Sequence, residues 1–171
     1  MIFSTIRNML SAKRQQPRLT CRGKLWQQIQ RELRRRGGGH QESGGFLLGK
    51  KKGATREILA FLPYDDVDPN CLQGMIVFDG SKMDKVWARC RAQKLDVVAD
   101  VHTHPGGYGQ SRIDQANPMM PEAGHLALIV PNFANRAYGP GEIGMYEFRG
   151  RDGWLNHSRL GWSFFKLTGW Y

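Results

Sequence analysis

The chain has 171 residues, with 25 Lys or Arg against 15 Asp or Glu, a formal net charge of +10, and three cysteines. That length suits a single domain with a real hydrophobic core. No apolar run approaches the roughly 20 residues needed to span a bilayer, and no stretch suits a secretory signal, so neither a membrane-spanning nor a secreted protein is expected.

The basic charge is concentrated at the front. Residues 1–36 hold Arg7, Lys13, Arg14, Arg18, Arg22, Lys24, Arg31, Arg34, Arg35 and Arg36 against one acid, Glu32, which accounts for nine of the ten net positive charges. Residues 1–23 read as a basic arm that could bind nucleic acid or an acidic partner; a solvated helix face with an unstructured lead-in fits as well. Ile2, Phe3, Ile6, Met9 and Leu10 give the arm a weak helical stripe, a pattern shared by organellar transit peptides.

Residues 24–36 predict a helix with Leu25, Ile29 and Leu33 on one face, ended by Gly37-Gly38-Gly39. Phe46 to Leu48 and Glu57 to Leu62 read as strands joined by a turn rich in Lys50, Lys51, Lys52 and Gly53. Tyr64 to Gly74 reads as loop. Ser81 is expected to cap a second helix reaching Lys94, with Met83, Val86, Trp87 and Cys90 buried. Val97 to Val101 and Leu126 to Val130 are short apolar runs that fit buried strands, and Met145 to Phe148 starts a terminal β segment. Strands alternating with helices predict an α/β fold on a mixed sheet, with no internal repeat. The aromatic tail, residues 161–171, is expected to fold back over the sheet; an exposed patch for a partner is the alternative.

The chemistry centres on Asp100-Val101-His102-Thr103-His104-Pro105, followed by Ser111-Arg112-Ile113-Asp114. Side chains at i and i+2 of a strand share a face, so His102 and His104 can aim two imidazoles at one point. Asp114 can return from the following loop as a third ligand. Two imidazoles and a carboxylate suit a catalytic zinc ion, which takes three protein ligands and leaves a position for water. The plainer alternative is that Ser111 and Asp114 form a helix capping box.

These residues resemble the signature of the JAMM metalloproteases, the catalytically competent MPN-domain proteins. Glu42-Ser43-Gly44-Gly45-Phe46-Leu47-Leu48-Gly49 matches the upstream Glu-x-x-Gly-x-x-x-Gly segment of that family. The spacing from His104 to Ser111 is one residue shorter than the family pattern. The resemblance covers roughly residues 24 to 150 and implies an MPN (JAB)-type domain, a mixed curved β-sheet flanked by helices. On that basis residues 24–160 are the catalytic domain, 1–23 an arm and 161–171 a tail packed on it. The resemblance also implies one zinc ion on His102, His104 and Asp114, Glu42 as general acid-base, and Ser111 as a donor to the oxyanion. It implies an isopeptidase that removes a ubiquitin-like protein from its conjugate or trims its C-terminal tail, like bacterial members encoded beside ubiquitin-like conjugation systems, antiviral ones included. Conjugation enzymes are then the expected partners and a Gly-Gly-like tail the expected substrate end. The glycine-rich stretch Pro131 to Gly144 is the candidate flexible wall of the substrate groove, with a plain surface loop as the alternative.

Two other functions stay open. A non-catalytic MPN scaffold would usually lose the histidines or the glutamate, which this chain keeps. A nucleic-acid-associated protein would use the basic arm, as in the DNA-repair-associated members of the wider fold. Cys21, Cys71 and Cys90 lack Cys-x-x-Cys spacing and read as reduced thiols, so a cytoplasmic protein is expected. His125 and His157 lack ligand spacing and read as structural, while His40 is close enough to Glu42 to tune a site.

Overall fold

Short apolar runs bounded by Gly, Pro and Lys set the strands of this protein. In the computed structural model, which describes residues 16–73 and 75–169, ten strands form. They are β1 (Leu19–Arg22), β2 (Gly44–Lys52), β3 (Thr55–Pro63), the short pair β4 (Leu72–Gln73) and β5 (Met75–Ile76), β6 (Asp96–Thr103), β7 (Leu126–Val130), β8 (Gly144–Phe148), β9 (Trp154–Asn156) and β10 (Phe165–Thr168). The helices are α1 (Gly23–Arg36), α2 (Tyr64–Val67), α3 (Met83–Gln93) and α4 (Arg112–Ala116). Eight strands make one mixed sheet in the order β10-β1-β3-β2-β6-β7-β8-β9. The arrangement is α/β, as the alternation of strand and helix patterns predicts. Among the described residues no helix is long and apolar enough to cross a membrane.

Each face of the sheet carries its own core. Trp26, Ile29 and Leu33 of α1 pack with Leu19, Val101, Leu128 and Phe165. On the other face α2 and α3 bring Tyr64, Val67, Val86 and Cys90 against Phe46 and Leu48. Trp26 is the centre of the α1 side. Its ring meets Phe165 edge-on at 5.1 Å, and its indole N–H donates to the Tyr138 carbonyl at 2.9 Å. The three cysteines are free and buried, and burial pushes the Cys21 thiol up to about 12 and that of Cys71 to about 11. These thiols are inert packing groups.

Several boundaries differ from the sequence reading. The proposed arm of residues 1–23 loses its last part to the domain: Leu19–Arg22 form β1, held between β10 and β3. Residues 1–15 lie outside the described residues. The tail over 161–171 does not cover the sheet but extends it, since Phe165–Thr168 pair in parallel with β1; Trp170 and Tyr171 lie outside the described residues. The helix face in contact with the core is centred on fully buried Trp26, with Leu25 packed against it only partly buried. Lys50, Lys51 and Lys52 are not a turn but the exposed end of β2. Tyr64–Val67 form one helical turn inside the expected loop. Ser81 does not cap α3, which starts after Lys82 with no side-chain cap; Asp79 caps the short turn Gly80–Lys82 ahead of it, its carboxylate accepting from the Ser81 N–H at 2.9 Å.

The glycines of the Glu42 segment have a packing cause. A Cβ on Gly49 would lie 1.8 Å from the Glu57 carbonyl oxygen, where a bulge shifts the β2–β3 register. Neither backbone can give way at that separation. Gly49→Ala is therefore expected to cost about 1–3 kcal/mol in urea unfolding, whereas Gly80→Ala, where a Cβ meets nothing within 4 Å, should leave the midpoint close to that of the parent.

Candidate metal centre

Strand β6 is paired on both sides, antiparallel to β2 and parallel to β7. Ala99, Val101 and Thr103 are buried toward the sheet's α1 side, so strand alternation turns Asp100, His102 and His104 to the opposite face. The ladder continues past the strand end, because the His104 N–H donates to the Val130 carbonyl at 3.0 Å and its own carbonyl accepts from Phe133. His104 is thus as firmly placed as a strand residue. The two Nε2 atoms converge to 3.0 Å.

Asp114 arrives from α4. Ser111 is the N-cap of this helix, its Oγ accepting from the Asp114 N–H at 3.1 Å, while Asp114 Oδ2 accepts from the Ser111 N–H at 2.7 Å. The capping box and the ligand position are the same arrangement. With its backbone contact made, the carboxylate stands with Oδ1 3.4 Å from His102 Nε2 and Oδ2 3.2 Å from His104 Nε2. One ligand atom from each of the three residues lies within 4.8 Å of the other two, a cluster that could hold a metal ion. Ser111 Oγ accepts the backbone bond and keeps its hydroxyl hydrogen for another acceptor.

Glu42 is carried in by the start of β2. Gly44 pairs with His102 across the ladder. Just before it, Ser43 is fully buried and clamped, its N–H donating to Thr103 Oγ1 at 3.0 Å and its hydroxyl to the Leu33 carbonyl at 2.7 Å. This fixes the backbone beside Glu42. Glu42, His102, Ser111 and Asp114 line one cleft of about 310 Å³, walled by Tyr64, Ile76, Met119 and Trp154 among others. His40 lines it too, with its Nδ1 3.0 Å from the Gly38 carbonyl.

The electrostatics follow from burial and close charge. Burial pushes the Glu42 carboxyl up, against the pull of the His104 and His102 imidazoles. At His102, burial acts downward but the hydrogen bond and charge of Asp114 outweigh it, so the pKa is raised. At Asp114, burial acts upward and is overcome by hydrogen bonds from His102 and His104, which hold the carboxyl far below its ordinary value.

Sequence reasoning missed three supports. Asp100 shares the face of His102, and its Oδ1 lies 2.6 Å from His125 Nε2 while the Tyr64 hydroxyl donates to its Oδ2 at 3.1 Å. The two-residue period that singles out His102 and His104 also singles out Asp100. Trp154 Nε1 donates to the Gln115 carbonyl at 3.2 Å, and the Tyr146 hydroxyl to the Tyr108 carbonyl at 3.0 Å. These tie α4 and its preceding loop to β9 and β8, and no local pattern signals them. His125 and His157 are held in pairs, with Asp100 and with Glu147, as structural histidines would be.

The Pro131 to Gly144 stretch is not a flexible wall. Tyr138 is buried, its N–H donating to Gln30 Oε1 at 2.7 Å and its carbonyl accepting from Trp26 Nε1 and Gln30 Nε2. Phe133 is its residue in the cleft. The helix α1 side chains anchor the rest elsewhere.

No protein-family model matches the chain. A probable metalloprotease of Sinorhizobium fredii (strain NBRC 101917 / NGR234) is 32% identical over 69 residues, which is 40% of this chain. The match spans 41% of that relative's length. Solved structures are similar over more of the chain. A Desulfitobacterium hafniense protein determined in solution superposes with a TM-score of 0.63 at 16% identity, over 89% of this chain and 94% of that one. A Salinibacter ruber (strain DSM 13855) protein gives 0.53 at 19% identity, over 81% and 88%. At these identities the likeness is one of fold.

The sign of the pH dependence in metal-free protein follows from the two shifts. His102, raised above 6.5, adds stability below that value and loses it as pH rises through its folded pKa. Asp114, held below 3.8, adds stability above that value and loses it as pH falls toward its folded pKa. With excess chelator, Asp114→Asn should therefore lower the urea midpoint most near pH 5 and least near pH 9; equal losses at both would mean that no charged pair forms.

Proposed function

We propose that this chain is a zinc peptidase of the JAMM type on an MPN fold, acting at the C-terminal tail of a ubiquitin-like protein or at its link to a lysine. The observation that carries the reading is the convergence of His102, His104 and Asp114 on one point in the cleft that Glu42 also lines. The likeness to a probable metalloprotease and the motif order along the chain support it.

The donor set fits zinc. Ligands at about 2.0–2.1 Å in a tetrahedron stand about 3.3–3.4 Å apart; here the two imidazole Nε2 atoms are 3.0 Å apart and one donor atom from each of His102, His104 and Asp114 lies within 4.8 Å of the other two. When bound, zinc would acidify a water and polarise the scissile carbonyl. Two imidazoles and one carboxylate leave it a net positive charge for that purpose.

The other residues supply proton transfer and orientation. Glu42 takes the proton of the attacking water and returns it to the departing amine, for which its raised pKa is suited. Ser111 donates its free hydroxyl hydrogen to the developing oxyanion. Tyr64, Ile76 and Met119 keep bulk water from that side of the cleft. Trp154 belongs to β9, the last strand of the sheet, so a substrate tail in the cleft has an open strand edge beside it.

Two measurements test this. Zinc analysis after dialysis should give one ion per chain for the parent and none for the His102→Ala, His104→Ala double variant; full retention ends the assignment. Glu42→Gln should keep zinc and fold while slowing cleavage of a ubiquitin-like fusion by about 10²–10⁴-fold. Bulky residues in place of the two glycines before the scissile bond should slow the parent enzyme sharply. A rate indifferent to those residues would describe a general peptidase instead.

A further inference from the structure

The outer face of α1 is a stripe of positive charge. Lys24, Arg31, Arg34 and Arg35 are exposed, at spacings that keep them opposite the buried Trp26, Ile29 and Leu33. The helix has one acid, Glu32, and it is taken by Arg35 and Arg36 at 2.6 and 2.7 Å. Arg36 turns away to Asp65 and Asp66 of α2. Among the described residues Lys24, Arg31 and Arg34 have no carboxylate partner; Arg34 donates to the Asn135 carbonyl at 2.7 Å. Lys24 and Arg31 stand about 10 Å apart along the axis and Arg34 about 5 Å further on.

A second cleft, of about 250 Å³, opens beside this stripe between Gln27 and Gln30 of α1 and Trp162. Trp162 is 53% exposed, unusual for an indole in a domain that buries Trp26 completely. It is presented rather than stray. A Cβ on Gly139 would lie 3.0 Å from Trp162 Cζ2, so that backbone supports the ring at close contact. Gly161, at φ +48°, sits against Gly141, whose Cα would lie 3.4 Å from a Cβ at that position. The cleft's acid, Glu142, is neutralised by Arg136 at 2.8 Å and held by the Gly139 N–H at 2.9 Å.

We propose that this face binds single-stranded nucleic acid, with Lys24, Arg31 and Arg34 on backbone phosphates and Trp162 stacked on a base. Charge complementarity selects a polyanion. The supported, half-open indole beside the charges selects one with planar bases free to stack, which a duplex or an acidic polypeptide lacks. The surface lies on the α1 side of the sheet, across from the candidate metal centre, and the inference does not rest on the peptidase reading.

Fluorescence anisotropy of the full chain with a labelled 15-mer of dT, from 50 to 300 mM salt, tests it. The parent should bind with a salt-dependent Kd. The triple variant Lys24→Gln, Arg31→Gln, Arg34→Gln should flatten the log–log salt slope by about 2, at about 0.7 per lost phosphate contact on a single strand. Trp162→Ala should weaken binding about tenfold or more without changing that slope, and Trp162→Phe should restore most of it. All four residues are exposed, and circular dichroism and zinc content should match the parent. Absence of binding at 50 mM salt overturns the proposal. So do equal affinity for duplex DNA or polyglutamate, or binding lost on deleting residues 1–15 but untouched by the helix and Trp162 substitutions.

Discussion

The register of β6 is the constraint on which the rest of the molecule depends. This strand is hydrogen-bonded on both edges, with His102 opposite Gly44 of β2 on one side and Ile129 of β7 on the other. Slipping it by one residue would exchange its two faces. Asp100, His102 and His104 would then enter the core built on Trp26 and Leu33, while Ala99 and Val101 would face the cleft. Burying that many polar groups without partners is prohibitive, so the same apolar packing that stabilises the sheet also aims the imidazoles. Folding energy and site geometry are set by one alignment.

The third member of the cluster is placed by different means. Helix α4 has five residues, too few to persist by its own backbone bonds. It is held at its start by the Ser111–Asp114 box, near its end by Trp154, and through the preceding loop by Tyr146. The carboxylate that caps the helix is the one that stands between the histidines. A side chain already fixed by a backbone hydrogen bond loses little further freedom on binding a cation, which is the physical value of combining the two roles.

The sheet also separates two charge environments. On the cleft side, the Asp114 carboxylate lies against His102 and His104, and that of Asp100 against His125. On the α1 side, Glu32 is held to about 2 chiefly by its hydrogen bond from Arg35, and Arg36 reaches across to α2. Those contacts occupy Arg35 and Arg36 and, among the described residues, leave Lys24, Arg31 and Arg34 without a carboxylate partner. Of the formal net charge of +10, α1 carries +4, from Lys24, Arg31, Arg34, Arg35 and Arg36 against Glu32.

Period and residue type made much of this legible without coordinates. The 3.6-residue pattern of α1, the apolar runs of β6 and β7, and the shared face of His102 and His104 follow from local stereochemistry, because neighbours along the chain fix them. Gly37 to Gly39 marks the helix end for the same reason. What local rules could not reach depends on contacts between distant residues. Leu19–Arg22 and Phe165–Thr168 are each four residues long and flanked by charge or aromatics; the first is a strand because β3 and β10 pair with it, the second because β1 does. Ser43 gives no local signal of its role, which comes from Thr103 and the Leu33 carbonyl. The glycines of Pro131 to Gly144 suggest freedom, yet Gln30 and Trp26 remove it by bonding Tyr138 from more than 100 residues away. The sequence by itself determined which side chains could meet on one strand face; the tertiary structure alone decided that Asp114 and Glu42 join them, because only long-range hydrogen bonds bring those two segments to the end of β6.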